Sequence, residues 1–215
     1  MNKKAYTSIL VIWAALVSLP TQSQTFQFSQ IRMFWKDGKG QPYNNFGNVL
    51  QQNPKLVFLM NGGMFTPDHE PVGLFIENGK VLRETKILKD PSVNFGIQPQ
   101  GIFAIYKDRA DILHVPASTA GFVFATQSAP VLVINGLVNP NLPTGKLIKL
   151  NGVGIKKDGT IFFALETMNF NEFAEHFIKN GCVKALYLDG FVSQVWHKGE
   201  PMGTRGPFGP MIGAY

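Results

Sequence analysis

The chain has 215 residues, 45% of them hydrophobic and 16% charged, with a formal charge of +6. That much apolar sequence supports one domain with a sizeable core and excludes a disordered protein. The Lys and Arg residues are scattered without a basic run, which argues against nucleic acid as a partner, and the single cysteine, Cys182, excludes an internal disulfide.

Residues 1–23 read as a secretory signal peptide. Lys3-Lys4 precede an apolar run from Ile9 to Leu19, and Pro20-Thr21-Gln22-Ser23 places small residues at the −3 and −1 positions of a cut before Gln24. The run is short for a membrane span of roughly 20 residues, and no other segment is suited to crossing a bilayer. The mature chain, 24–215, is therefore expected to be one secreted or periplasmic domain with no stable membrane span.

Thr25–Trp35 alternates like one or two strands, and Tyr43–Gln52 reads as a short helix stopped before Pro54. Lys55–Met60 is a strand that runs into Asn61-Gly62-Gly63. Two glycines there suit either a tight turn or a cradle of N–H groups for an anion. Asn78-Gly79 joins Leu74–Glu77 to Lys80–Leu82 as a hairpin. Gly101–Tyr106 with Asp111–Val115 makes another, and Val153–Lys156 with Thr160–Leu165 a third, across Asp158-Gly159. Strands at Phe122–Thr126 and Val131–Ile134 flank Gln127-Ser128-Ala129-Pro130, and Asn135-Gly136 marks a further turn.

The last third is organised differently. Phe170, Phe173, Ala174, Phe177 and Ile178 fall on one helical stripe, with Asn169 as cap, Glu172 three residues on and Gly181 as stop. The flanking apolar runs, Ile161–Leu165 and Ala185–Leu188, are of strand length and end on Glu166 and Asp189-Gly190. A strand–helix–strand crossover makes these strands parallel and brings both carboxylates to one edge of the sheet. Taken alone, Asp189-Gly190 also suits a plain turn, and Glu166 a solvated strand end. A glycine-rich loop at 203–210 leads into Met211–Tyr215. The expected fold is α+β: a single domain with a mixed, largely antiparallel twisted sheet, several hairpins and one C-terminal strand–helix–strand unit. His69, His114, His176 and His197 are isolated, and no Cys/His spacing suits zinc.

In order, Asn61-Gly62-Gly63-Met64-Phe65, Pro71-Val72-Gly73-Leu74, Asn94-Phe95, Gln127-Ser128-Ala129-Pro130, Asn151-Gly152-Val153-Gly154, Leu188-Asp189-Gly190 with Ser193, and Phe208-Gly209 form a set. The set resembles the phosphodiester glycosidase family, in its bacterial branch formerly grouped as a domain of unknown function. The resemblance spans residues 31–215. The chain departs from it where Phe191-Val192 stand between Gly190 and Ser193 in place of glycines, and where Leu150, preceded by Lys149, occupies a position at which Arg is common.

The resemblance implies an exported hydrolase that cleaves the bond between a sugar anomeric carbon and a phosphodiester. Its substrate would be a small molecule or an envelope glycan carrying that linkage. Asp189 is then the essential carboxylate and Glu166 its partner. Asn61, Gly62, Gly63, Gln127, Ser128, Asn151, Gly190, Ser193 and Arg205 are candidates for sugar and phosphate contacts, since amides offer sugar hydroxyls both donors and an acceptor. A divalent cation, Ca²⁺ or Mg²⁺, held by Asp189 is compatible with the sequence and not required by it. The alternative reading is a non-catalytic glycan-binding module of the cell envelope.

Overall fold

Short apolar runs broken by Asn-Gly and Asp-Gly pairs fold here as antiparallel hairpins. The computed structural model describes residues 23–203 and 205–215; all of the predicted signal peptide except Ser23 lies outside the described residues. The chain begins with β1 (Gln24–Phe26) and β2 (Ile31–Phe34). Helix α1 (Phe46–Gln52) is shorter than the predicted 43–52, because Asn45 caps it by accepting from the Asn48 backbone N–H at 2.8 Å. β3 (Phe58–Asn61) follows, then the hairpin of β4 (Phe75–Glu77) and β5 (Lys80–Arg83). Asn78 and Gly79 turn that hairpin with φ of 53° and 78°, the pair of positive values that a type I′ turn requires. Next come β6 (Gly101–Ile105), β7 (Ala110–His114), β8 (Phe124–Ser128), β9 (Val131–Ile134) and β10 (Leu137–Val138). β11 (Ile148–Lys156), β12 (Ile161–Met168), α2 (Phe170–Lys179) and β13 (Cys182–Asp189) lead to β14 (Val195–His197) and β15 (Met211–Ala214).

The α+β class stands, with the strands distributed over three sheets. Their orders are β1-β12-β11-β13-β9-β10, β14-β3-β15-β2 and β5-β4-β8-β6-β7. All the pairings among the described strands are antiparallel. β12 and β13 each run antiparallel to β11, which lies between them, so they are parallel to one another as the crossover requires. β3 stands in a different sheet from both. The Ala129-Pro130 corner carries the chain from β8 in one sheet to β9 in another.

Three inner sheet faces share one core, with Phe58, Phe75, Phe103, Phe163, Leu186 and Ile212 fully buried in it. Helix α2 covers the opposite face of the six-stranded sheet. Asn169 and Glu172 close a reciprocal cap at its start, and Phe170, Phe173 and Phe177 pack against Phe162 and Tyr187. Each such buried aromatic contributes on the order of 2 kcal/mol. Helix α1 seals the four-stranded sheet in the same way, through Phe46 and Val49. Among the described residues no helix is long and apolar enough to cross a membrane.

Candidate active site

Asn151-Gly152-Val153-Gly154 is shaped by helix α2. A Cβ on Gly152 would lie 2.9 Å from Phe173, and one on Gly154 would lie 2.6 Å from Phe177, so only glycines let the helix approach. Strict alternation then turns Asn151 and Val153 to the other face, toward the shared core.

Opposite Asn151 the strand pairing slips by one residue. Gly152 pairs with Tyr187, yet Asn151 pairs with Asp189, so Leu188 is the extra residue of a β-bulge. Without that bulge Asp189 would follow Tyr187 onto the helix face. With it, the carboxylate points to the Asn151 side, the re-aiming that bulges provide next to active sites. The β11–β12 ladder has no such slip. Glu166 pairs with Leu150, whose side chain packs among the α2 residues. Glu166 therefore reaches the same sheet edge as Asp189 but projects from the opposite face, because cross-strand partners share a face. The structure does not bring the two predicted carboxylates together.

Asp189 is paired instead with amides. Its Oδ1 accepts from the Gly190 N–H at 2.7 Å, and its Oδ2 accepts from Asn61 Nδ2 at 2.9 Å. Asn61, fully buried at the end of β3, in turn accepts at Oδ1 from Asn151 Nδ2 at 3.0 Å and from the Gln194 N–H at 3.2 Å. Asn151 Nδ2 also donates to the Asn61 carbonyl at 2.8 Å. Burial raises the Asp189 carboxyl to about 6, against the two hydrogen bonds, which lower it. Of the buried side-chain polar atoms among the described residues, only three have no hydrogen-bond partner, and two of them, Asn151 Oδ1 and Ser193 Oγ, belong to this cluster. Leaving such an atom unpaired costs about 1–3 kcal/mol, so each is a natural point for a ligand hydroxyl.

The turn after Asp189 is held locally. The Ser193 N–H donates to the Gly190 carbonyl at 2.8 Å, and Lys149 Nζ donates to the Ser193 carbonyl at 3.4 Å. Gly190 has no room for a side chain: a Cβ there would lie 2.6 Å from the Tyr187 hydroxyl and 3.1 Å from the Lys149 carbonyl. Tyr187 is missed by the sequence reading of the site, while Asn94 enters it only within the motif set and Lys149 only as the neighbour of a position where Arg is common. The Tyr187 hydroxyl accepts from Asn94 Nδ2 at 3.4 Å and is held protonated by burial, then by the nearby Asp189 charge. A tyrosine inside the otherwise aliphatic run Ala185–Leu188 signals a hydroxyl that needs a partner.

Other predicted contacts have structural employment. Gln127 Oε1 accepts from the Leu74 and Lys86 N–H groups and its Nε2 donates to the Lys86 carbonyl, so its amide clips residues 74 and 86 to β8. Ser128 Oγ donates to the Leu188 carbonyl at 2.9 Å, bracing the bulge from β8. Gly62 N–H is bonded to the Pro210 carbonyl, and the Gly62 carbonyl accepts from Thr126 Oγ1. Gly63, at φ 155°, packs where a Cβ would lie 2.9 Å from Thr126 Oγ1. Arg205 donates to the Met202 and Val195 carbonyls and to Glu200 Oε2, and lines a cleft of ≈ 400 Å³ with Asn44, Asn45 and Gly47. That cleft is formed by the closing loop and the start of α1, not by the Asp189 turn. Among the described residues no group of three or more His, Cys, Asp or Glu side chains is gathered for a metal ion. A hard cation at Asp189 would have to complete its shell with neutral oxygens such as Asn151 Oδ1 and Ser193 Oγ.

Comparison with known proteins bears on the family and on the fold. The sequence profile of the phosphodiester glycosidases matches residues 54–211. YigE, an uncharacterized protein of Escherichia coli (strain K12), is 33% identical over 197 residues, which cover 86% of this chain and 77% of that protein. The catalytic domain of zebrafish N-acetylglucosamine-1-phosphodiester alpha-N-acetylglucosaminidase, auto-inhibited by its pro-peptide, has a similar structure: TM-score 0.63 at 16% identity, over 93% of this chain and 85% of that one. A hypothetical protein from Synechocystis gives 0.50 at 12% identity, over 89% and 58%. At such identities the two structures show a common fold.

Proposed function

Because the chain belongs to the phosphodiester glycosidase family, we propose that it hydrolyses the bond between a sugar anomeric carbon and a phosphodiester, with Asp189 as the general base. Water adds to the anomeric carbon as its proton passes to the Asp189 carboxylate. The bond from that carbon to the phosphate oxygen breaks, and the products are the free sugar and a phosphomonoester. Phosphate leaves as a stable anion and needs little help from an acid, so one carboxylate is sufficient here where ordinary glycoside cleavage uses two. A carboxyl raised to about 6 is a stronger base than an exposed one and is still ionised at neutral pH.

One observation carries the reading: the bulge at Leu188 aims Asp189 at two buried amides, beside two polar atoms with no partner in the protein. Asn151 Oδ1 and Ser193 Oγ are assigned to sugar hydroxyls, and Lys149 to the phosphate. We also propose that the protein acts after export, secreted or periplasmic, on the strength of Lys3-Lys4, the apolar run Ile9–Leu19 and the small residues Thr21 and Ser23. The test is a panel of glycosyl-1-phosphodiesters, N-acetylglucosamine among the sugars, incubated with the mature chain and assayed for free sugar. Release above background from one member supports hydrolysis. Binding without release from any of them would favour a glycan-binding module.

A further inference from the structure

Large apolar side chains are buried nearly everywhere in this protein, and the exceptions are not scattered evenly. Eight are exposed among the described residues: Val81, Ile87, Val93, Leu137, Leu147, Ile148, Phe191 and Val192. Five of these belong to the three segments that meet at the Asp189 turn. Phe191, 91% exposed, and Val192 lie within the turn between Asp189 and Ser193. Leu147 and Ile148 directly precede Lys149, whose carbonyl packs on Gly190 and whose ammonium reaches the Ser193 carbonyl. Val93 precedes Asn94, which is bonded to the Tyr187 hydroxyl. Ile148 shares the helix face of Leu150 and Glu166 and is set aside; Phe191, Val192, Leu147 and Val93 border the turn, and an exposed apolar patch beside a site marks a surface that meets something.

The chemistry of the cluster narrows what that is. Sugar rings are met by amides, carboxylates and single aromatic faces, but Val and Leu offer hydroxyls nothing. Lys146 and Lys149 interleave with these side chains and are exposed, which suits a group that is aliphatic and next to one negative charge. Phe191 is two residues from Asp189, and Lys149, the residue assigned to the phosphate, reaches the Ser193 carbonyl, so the rim flanks the phosphate position. We infer that the rim binds an aliphatic chain, alkyl or isoprenoid, on the far side of the phosphodiester, making the substrate a lipid-linked glycosyl phosphate. This rests on the hydrolytic reading above and adds the identity of the leaving group.

Two measurements separate the inference from that reading. In the first, a matched pair of diesters of one sugar 1-phosphate, one glyceryl and one geranyl, is assayed in vesicle-free solution below the micelle concentration. The expected result is a kcat/KM at least tenfold higher for the geranyl ester, collapsing toward equality in Phe191→Ser, chiefly through KM. Equal rates on the two esters overturn the inference while leaving hydrolysis intact, and so does a Phe191→Ser effect of the same size on both. Stimulation by anionic vesicles alone, equal for the two esters, also overturns it, since the rim would then serve a membrane surface. The second measurement is calorimetric titration with decyl phosphate and methyl phosphate, which needs no turnover. Tenfold tighter binding of decyl phosphate, lost in Phe191→Ser, supports the rim even if neither ester is cleaved, in which case the hydrolytic reading is what fails. Equal affinity for the two phosphates overturns the inference.

Discussion

Asn61 and Asp189 are 128 positions apart and sit in different sheets, yet Asn61 Nδ2 donates to Asp189 Oδ2 at 2.9 Å. This bond ties the end of β3 to the bulged end of β13. Asn61→Ala removes it and leaves Asp189 Oδ2 and the Gln194 N–H without this partner, while the Asn151 amide keeps its bond to the residue-61 carbonyl. The expected cost is about 2–4 kcal/mol of stability from the buried groups left unpaired. A lost donor also raises the Asp189 carboxyl further, so the acid limb of kcat/KM should move above 6. An unchanged limb in a folded Asn61→Ala would show that the amide does not tune Asp189.

The wild-type pH profile follows from the same group. A base must be ionised, so kcat/KM should rise with pH and level off above about 6. Stability runs the other way. The folded carboxyl binds its proton more tightly than the unfolded one, with an ordinary value of 3.8, so the folded state loses stability as pH rises from about 4 to about 6. The difference between 3.8 and about 6 corresponds to about 3 kcal/mol at neutral pH. Glu77, raised by burial to about 7, adds a limb of the same sign. The difference between wild type and Asp189→Asn cancels Glu77: the variant's relative stability should climb between pH 4 and 6 and then stay flat. The plateau should fall short of 3 kcal/mol, because an asparagine has one acceptor for the two donors, Gly190 N–H and Asn61 Nδ2. Thermal melts across that range check both points.

Glu166→Gln should leave kcat/KM within about twofold of wild type. Glu166 projects from the helix face, opposite Leu150, and the amide keeps its size. A hundredfold loss, on the scale of a lost acid or base, would put a second carboxylate in the reaction and contradict the placement read from the ladder.

Gln127→Leu should separate stability from chemistry in the other direction. It orphans the N–H groups of Leu74 and Lys86, at a cost of about 2–4 kcal/mol. Below its lowered Tm the variant should turn over as wild type does. A selective rise in KM without a change in Tm would return Gln127 to the substrate.

Gly190→Ala places a methyl 2.6 Å from the Tyr187 hydroxyl. Overpacking of this kind costs about 1–3 kcal/mol. Adding Tyr187→Phe removes the nearer clash, so the double variant should regain part of the lost Tm. Simple additivity of the two substitutions would mean that the Tyr187 hydroxyl does not stand where Gly190 needs it.

These residues also mark how far the sequence could be read. Helix α2 was legible to the residue at its cap, because Asn169, Glu172, the phenylalanine stripe and Gly181 agree with one another. The Asn-Gly and Asp-Gly turns were legible for the same reason: few residues accept positive φ. Asp189 stood out as a carboxylate ending an apolar strand. Its direction did not, because a one-residue bulge leaves no mark in composition and reverses the face. The sequence places Glu166 at the same edge as Asp189, but only the register of the β11–β12 ladder fixes its face. The division into three sheets, and with it the reach of Asn61 to β13, depends on contacts far apart in the chain, to which local periodicity is blind. Gln127 was legible as a polar residue with something to bond, but the same amide that would suit a sugar is used by two backbone N–H groups.

The most direct measurement is sugar release by Asp189→Asn, compared with wild type on whichever glycosyl-1-phosphodiester the panel identifies, at pH 7.5 and with melting curves run on the same samples. The expected result is a Tm equal to or above that of wild type and a turnover at least 10³-fold lower, the loss of the one base the site contains. A well-folded Asp189→Asn that keeps more than a tenth of the wild-type rate would contradict the assignment of Asp189 as the base.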